Sequence, residues 1–252
     1  MTSECRLRIG IISGSGPEAG VDLWSKLLEE NRELLGTAFS GDLDAPYVII
    51  LSEPRLGLSM HLETHEEEVW SQLETALRTL ACQVDLIAIA CNTLHYFEAR
   101  IGSLRLPARL VSLSDVLSDY VRAQGLRQVA LLGARPVMEL GRWSPYRRLG
   151  ALVSIERPRD SDAVHRLILD IKRLGPTDGL VATRFSTLLE TLQSRTVVLA
   201  CTELPLIAVQ AVGRQLVDMN RLLARALVVA SLDSSCAPIT ARPSCNGALA
   251  QP

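Results

Sequence analysis

Two cysteines stand where a protein can do proton chemistry. Cys91 closes the apolar run Ile87-Ala88-Ile89-Ala90 and is followed by Asn92-Thr93, while Cys201 closes Val197-Val198-Leu199-Ala200 and is followed by Thr202-Glu203. Short apolar runs of this kind read as buried strands, and in open parallel sheets ligands collect beyond the carboxyl ends of the strands. A thiol at that place, with a helix N-terminus expected just after it, is favoured toward the thiolate that accepts a proton. A lone cysteine at a strand end is ordinarily inert core, because unoxidised cysteine is among the most buried residue types. Two at matching places point elsewhere. On opposite walls of a cleft, one thiolate can take a proton from one face of a carbon while one thiol returns a proton to the other face. The unperturbed cysteine pKa of about 8.5 lets both forms coexist near neutrality after modest tuning.

The neighbours suit a substrate that carries a carboxylate. Asn92, Thr93 and Thr202 offer donors to a group on which negative charge develops, and the turn Gly14-Ser15-Gly16-Pro17 adds Ser15 and further backbone N–H groups. Glu203 has two readings, as a contact for a substrate ammonium group or as an acidic residue suited to a helix start. His95, four residues after Cys91, either tunes that thiol or is a polar residue at the cleft edge. His61 and His65 lie among Glu63, Glu66, Glu67 and Glu68, the pattern of an exposed acidic helix start rather than a metal site. No two cysteines have zinc-knuckle or redox spacing, so no metal is expected. The Gly14 turn lacks the dinucleotide fingerprint and the P-loop lysine, so nucleotide is a weak reading. Cys82, in a predicted helix, and Cys5, ahead of the first strand, read as structural.

The elements that must carry these residues alternate between strand-like and helix-like stretches, the pattern of a parallel sheet with helices on both faces. Strands are predicted over 8–12, 47–51, 85–90 and 109–113, then over 129–132, 152–155, 196–200 and 215–217, with helices over 18–35 and 66–81 in the first half. The second half repeats the first. Gly10-Ile11-Ile12-Ser13-Gly14 parallels Ala130-Leu131-Leu132-Gly133-Ala134, the two cysteine runs parallel each other, and Arg109-Leu110-Val111-Ser112-Leu113 parallels Gln215-Leu216-Val217-Asp218-Met219, at spacings of about 105 to 120 residues. Two similar α/β lobes are therefore expected: residues 1–118 together with 218–232, and residues 119–217. The last stretch, 233–252, is rich in Ser, Ala and Pro, reads as a disordered tail and carries Cys236 and Cys245.

The whole chain sets outer limits. Of its 252 residues, 48% are hydrophobic and 21% charged, the balance of a globular protein, and the formal charge of −2 gives no bulk reason to expect nucleic acid or an anionic membrane as partner. No apolar run approaches the roughly 18 residues of a membrane span. The first residues lack the parts of a signal peptide, so a cytoplasmic location is expected, and with it free thiols among the six cysteines.

The stretches Gly10-Ile11-Ile12-Ser13-Gly14-Ser15-Gly16-Pro17-Glu18-Ala19, Cys91-Asn92-Thr93-Leu94-His95 and Ala200-Cys201-Thr202-Glu203-Leu204-Pro205-Leu206 closely resemble the aspartate/glutamate racemase family, from about Arg8 to Leu232. The resemblance implies two pseudo-symmetric three-layer lobes with parallel four-stranded sheets and a cleft between them. It further implies paired catalytic cysteines, an amino-acid substrate, no cofactor and commonly a homodimer. By position it assigns acid and base roles to Cys91 and Cys201 and a substrate site to Ser15, Asn92, Thr93, Thr202 and Glu203. Lys172 resembles the family's lysine for the distal carboxylate. Ser52 and Arg55 are further possible site positions. Three positions depart from the aspartate-specific pattern: Ser59 stands where those members usually have an arginine, Ser15 replaces a methionine, and Val137 replaces a threonine. Losing a guanidinium removes a carboxylate's best geometric partner. An aspartate-like or glutamate-like substrate is thus the first expectation and a non-acidic amino acid the second. Isomerisation or decarboxylation of a small dicarboxylic acid, or plain binding, are the alternatives on the same scaffold.

Overall fold

A computed structural model describes residues 6–208 and 213–232. Cys5, Cys236, Cys245 and the expected tail lie outside the described residues. The chain runs β1 (Ile9–Ser13), α1 (Pro17–Leu35), β2 (Val48–Ser52), α2 (Leu62–Ala81), β3 (Leu86–Ile89), α3 (Glu98–Ser103), β4 (Arg109–Leu110), α4 (Leu113–Ala123). It continues as β5 (Gln128–Gly133), α5 (Arg135–Met138), β6 (Ser154–Glu156), α6 (Ser161–Leu174), α7 (Gly179–Glu190), β7 (Thr196–Ala200), β8 (Gln215–Asp218) and α8 (Met219–Leu232). The strands form two parallel four-stranded sheets, ordered β2-β1-β3-β4 and β6-β5-β7-β8. The two orders match strand for strand. This is the α/β architecture expected from the repeat.

The central strands are the near-continuous apolar runs, since a parallel strand covered on both faces has no side left for water. β1, β3 and β7 are buried at every residue, whereas the edge strands β2 and β6 are only partly covered. Strand order reverses between β1 and β3, and again between β5 and β7, which are the switch points where such sheets leave a crevice.

β4 falls furthest short of its expected span, while β3 loses a residue at each end and β6 begins two residues late. β4 stops at Leu110 because Ser112 leaves the ladder to cap α4, its hydroxyl accepting the N–H of Asp115 at 3.1 Å. The cap's hold on the backbone outweighs the strand propensity of the residues beside it.

α8 lies against α1 and α4. Leu223 and Leu227 bury its apolar face, and polar contacts fix its register: Asn220 donates to the Ala19 carbonyl at 3.2 Å and to Asp22 at 2.7 Å, while Arg221 and Arg225 reach the buried Glu30 at 3.0 and 3.1 Å. No helix among the described residues is long and apolar enough to cross a membrane. Cys82 departs from the expectation of free thiols, since its sulfur is in a disulfide.

Candidate active site

Cys91 and Cys201 occupy equivalent places. The β1·β3 ladder runs on through Ala90, whose N–H donates to the Ile12 carbonyl at 2.9 Å, so Cys91 is the first residue beyond it. Cys201 directly follows β7, whose last residue pairs with Gly133. Both are free cysteines and both are buried.

Around Cys91 the partners are hydroxyls. Its Sγ lies 3.2 Å from Ser15 Oγ and 3.9 Å from Ser59 Oγ, and the two serines bond each other at 2.8 Å. Ser15 comes from the turn after β1. That turn needs Gly14, whose φ is +108° and where a Cβ would fall 2.2 Å from the Glu53 carbonyl oxygen. Asn92 is buried at 2% exposure, its Oδ1 accepts the hydroxyl of Tyr146, and its Nδ2 has no hydrogen-bond partner. Thr93 is buried next to it.

Around Cys201 the partners are charged. Its thiol donates to Glu203 Oε2 at 2.9 Å, and Glu203 Oε1 holds the ammonium of Lys172. Lys172 also donates to the Ser15 carbonyl at 2.5 Å, so this cation of α6 touches the turn beside the other thiol. Burial opposes the charge of Lys172, but Glu203 prevails, and the lysine pKa lies above its usual value. Gly16 makes room for this contact, because a Cβ there would sit 2.2 Å from Glu203 Oε1. Thr202 donates across to the Ala90 carbonyl at 3.3 Å.

One electrostatic expectation is reversed at Cys201. Instead of a helix N-terminus, each cysteine is followed by a short 3₁₀ segment without a side-chain cap, Thr93–Phe97 and Leu204–Leu206. Burial, followed by the carboxylate of Glu203, pushes the Cys201 thiol well above its ordinary range, with Lys172 pulling the other way. Cys201 is therefore held as a thiol.

Other expected residues lie elsewhere. His95 turns from Cys91: its Nδ1 sits 2.7 Å from Glu98 and its Nε2 3.4 Å from the Ile89 carbonyl. Arg55 is exposed and paired with Glu68 at 2.7 Å, because Glu53 holds its backbone N–H at 2.9 Å in a turn that directs the side chain outward. Ser52 is exposed at the end of β2. Val137 is fully buried in α5. No group of three or more His, Cys, Asp or Glu among the described residues could hold a metal ion. An open groove of about 780 Å³ between α6 and α7, bordered by Arg166, Asp170 and Arg184, contains neither thiol.

Two buried residues escaped the sequence reading, and of them Tyr146 touches the site. Tyr146 belongs to no motif, and its one local signal is that a buried tyrosine needs a partner for its hydroxyl. His165, seven residues before Lys172 on α6, faces His61 with ring centroids 6.4 Å apart. Burial, then Arg135 and His61, hold its pKa below the usual histidine value.

Comparison with known proteins decides the family. Residues 12–227 match the family model described as Asp/Glu/Hydantoin racemase. The chain belongs to the Asp/Glu/hydantoin racemase family. It is thereby an enzyme of the isomerase class. The broad-specificity amino-acid racemase RacX of Bacillus subtilis (strain 168) is 24% identical to the chain over 200 residues, covering 78% of this chain and 85% of RacX. An aspartate racemase homologue from Pyrococcus horikoshii OT3 superposes with a TM-score of 0.68 at 25% identity, over 89% of this chain and 98% of that one. The aspartate racemase of Picrophilus torridus gives 0.72 at 21% identity, over 89% and 94%.

Proposed function

We propose that this racemase interconverts the enantiomers of an amino acid by a two-thiol route without pyridoxal phosphate, with Cys91 on one face of the α-carbon and Cys201 on the other. The observation that carries this reading is the equivalence of the two sulfurs: each is free, each lies at the carboxyl end of the corresponding central strand, and the Glu203–Lys172 pair joins them, its carboxylate accepting the Cys201 thiol and its ammonium donating to the carbonyl of Ser15 beside Cys91. In one direction the Cys91 thiolate takes the α-proton, the C–H pair passes toward the substrate carboxylate, and the Cys201 thiol delivers its proton to the opposite face. The reverse direction exchanges the roles. Asn92 Nδ2 and the Thr93 hydroxyl are donors for the α-carboxylate as it gains charge, with Thr202 beside them, while Glu203 receives the ammonium group and Lys172 the distal carboxylate of an acidic substrate. The Ser15–Ser59 hydroxyl pair supplies Cys91 with neutral partners that can donate to a thiolate.

The substrate class follows RacX, named for broad specificity, as well as the aspartate racemase homologue and the aspartate racemase of solved structure. The division into lobes 1–118 with 218–232 and 119–217, the homodimer and the cytoplasmic location belong to the same proposal. The lobe division is supported by the matching sheet orders, and the dimer is read by sedimentation.

The deciding experiment is α-deuterium uptake in heavy water, together with chiral chromatography, over the proteinogenic L-amino acids. Uptake with formation of the D-form is expected for the wild type, and Cys91→Ala and Cys201→Ala should each lower racemisation by at least about 10³-fold, the scale of losing a general acid or base. Full racemisation in either variant sinks the two-base route.

A further inference from the structure

Tyr146 is 1% exposed, and its hydroxyl donates to the side-chain oxygen of Asn92, a residue of the first sheet's crevice, from a loop that follows β5 of the second sheet. The loop is firmly seated. Ser144 Oγ donates to the Val137 carbonyl at 2.7 Å and accepts the Tyr146 N–H at 3.2 Å, so the phenol is aimed from α5. An amide has one acceptor end and one donor end, and with Oδ1 taken by a phenol proton the orientation of Asn92 is settled. The end left over is Nδ2, a buried donor without a partner, and buried donors are almost always satisfied by something.

We propose that Tyr146 is a positioning residue for the substrate carboxylate: its hydroxyl holds Asn92 Oδ1 and so presents Nδ2 to that carboxylate beside Cys91. The inference rests on the reading of Asn92 as a carboxylate donor. Burial, followed by Glu98 and Cys91, keeps the Tyr146 phenol neutral and donating well above its ordinary range. Because Tyr146 and Asn92 come from different sheets, the carboxylate donor is set only when the two halves are together.

The test is calorimetric titration of L-aspartate, L-glutamate, L-alanine and L-lysine into the full-length wild type, Tyr146→Phe, Asn92→Ala and the double variant, with α-deuterium uptake measured in parallel. The amino acid that binds the wild type best should bind Tyr146→Phe about tenfold more weakly, the scale of one oriented hydrogen bond. It should bind the double variant no more weakly than Asn92→Ala, because the tyrosine acts through the asparagine. Unchanged affinity in Tyr146→Phe overturns the inference, as do losses that multiply in the double variant, which would mark a merely structural role. Binding by the wild type without deuterium uptake sinks the racemase reading and leaves this comparison intact; absence of binding for all four overturns both. Should Tyr146→Phe fail to fold, Asn92→Asp keeps an acceptor for the phenol and turns the donor into an anion. Its affinity should fall by more than about a hundredfold, and retained affinity overturns the inference.

Discussion

The two thiols are not equivalent as residues, although they are equivalent in the fold. Cys91 is bounded by two serine hydroxyls and Cys201 by a carboxylate that an ammonium partly balances. The raised pKa of Cys201 has a consequence for stability. Below the ordinary cysteine value both folded and unfolded states keep the proton; above it the unfolded chain ionises first, and the buried thiol's contribution is lost as pH rises toward the folded value. Thermal denaturation from about pH 8 to 10 should show the wild type losing more stability than Cys201→Ala across that interval; parallel curves would contradict the burial effect. Gly16 offers a second prediction. Gly16→Ala puts a methyl group against the movable end of Glu203, so the variant should fold with a melting temperature near that of the wild type yet lose at least about tenfold in α-deuterium uptake, as the Glu203–Lys172 pair is displaced. Wild-type uptake would show that the close approach has no role.

At the scale of elements, positions that matter are set by where strands stop. The hydrophobic run through Leu110 and Val111 reads as strand to Leu113, but the cap by Ser112 ends it and starts α4. The same hydroxyl donates to Glu98 at 2.8 Å, which ties α4 to the helix after the Cys91 segment. Ser112→Ala should cost about 1 kcal/mol and lower the melting temperature by about 2–4 °C, with Ser112→Gly costing less. Equal losses in both variants would say that the contact with Glu98, and not the cap, is what stabilises the junction. The strands that carry the cysteines needed no such correction, because β3 and β7 are apolar throughout and buried on both faces.

The whole molecule joins its halves in two ways. A single apolar cluster runs from Ile9 and Leu27 through Leu117, Leu223 and Leu227 to Leu131, Phe185 and Val198. Three polar contacts also cross between the halves at the site: Thr202 to the Ala90 carbonyl, Lys172 to the Ser15 carbonyl and Tyr146 to Asn92. Shared burial couples unfolding, so scanning calorimetry should give one transition, sharpened upward in temperature by a bound amino acid. Two resolved transitions would show that the halves melt independently and that α8 does not couple them.

How much of this was legible in the chain depends on the range of the interaction concerned. The repeat, the central strands, the two cysteines and the neighbours Asn92, Thr93, Thr202 and Glu203 follow from local order, since apolar period, turn residues and tandem likeness are written along the sequence. What only tertiary structure decided are contacts between residues far apart in the chain, Tyr146 on Asn92, Lys172 on Glu203 and Ser15, and Ser59 beside Cys91, together with the outward turn of Arg55 and the burial of His95 against Glu98. The protonation of Cys201 belongs with these, because a pKa answers to burial and to charges in space, and neither is a property of spacing along the chain.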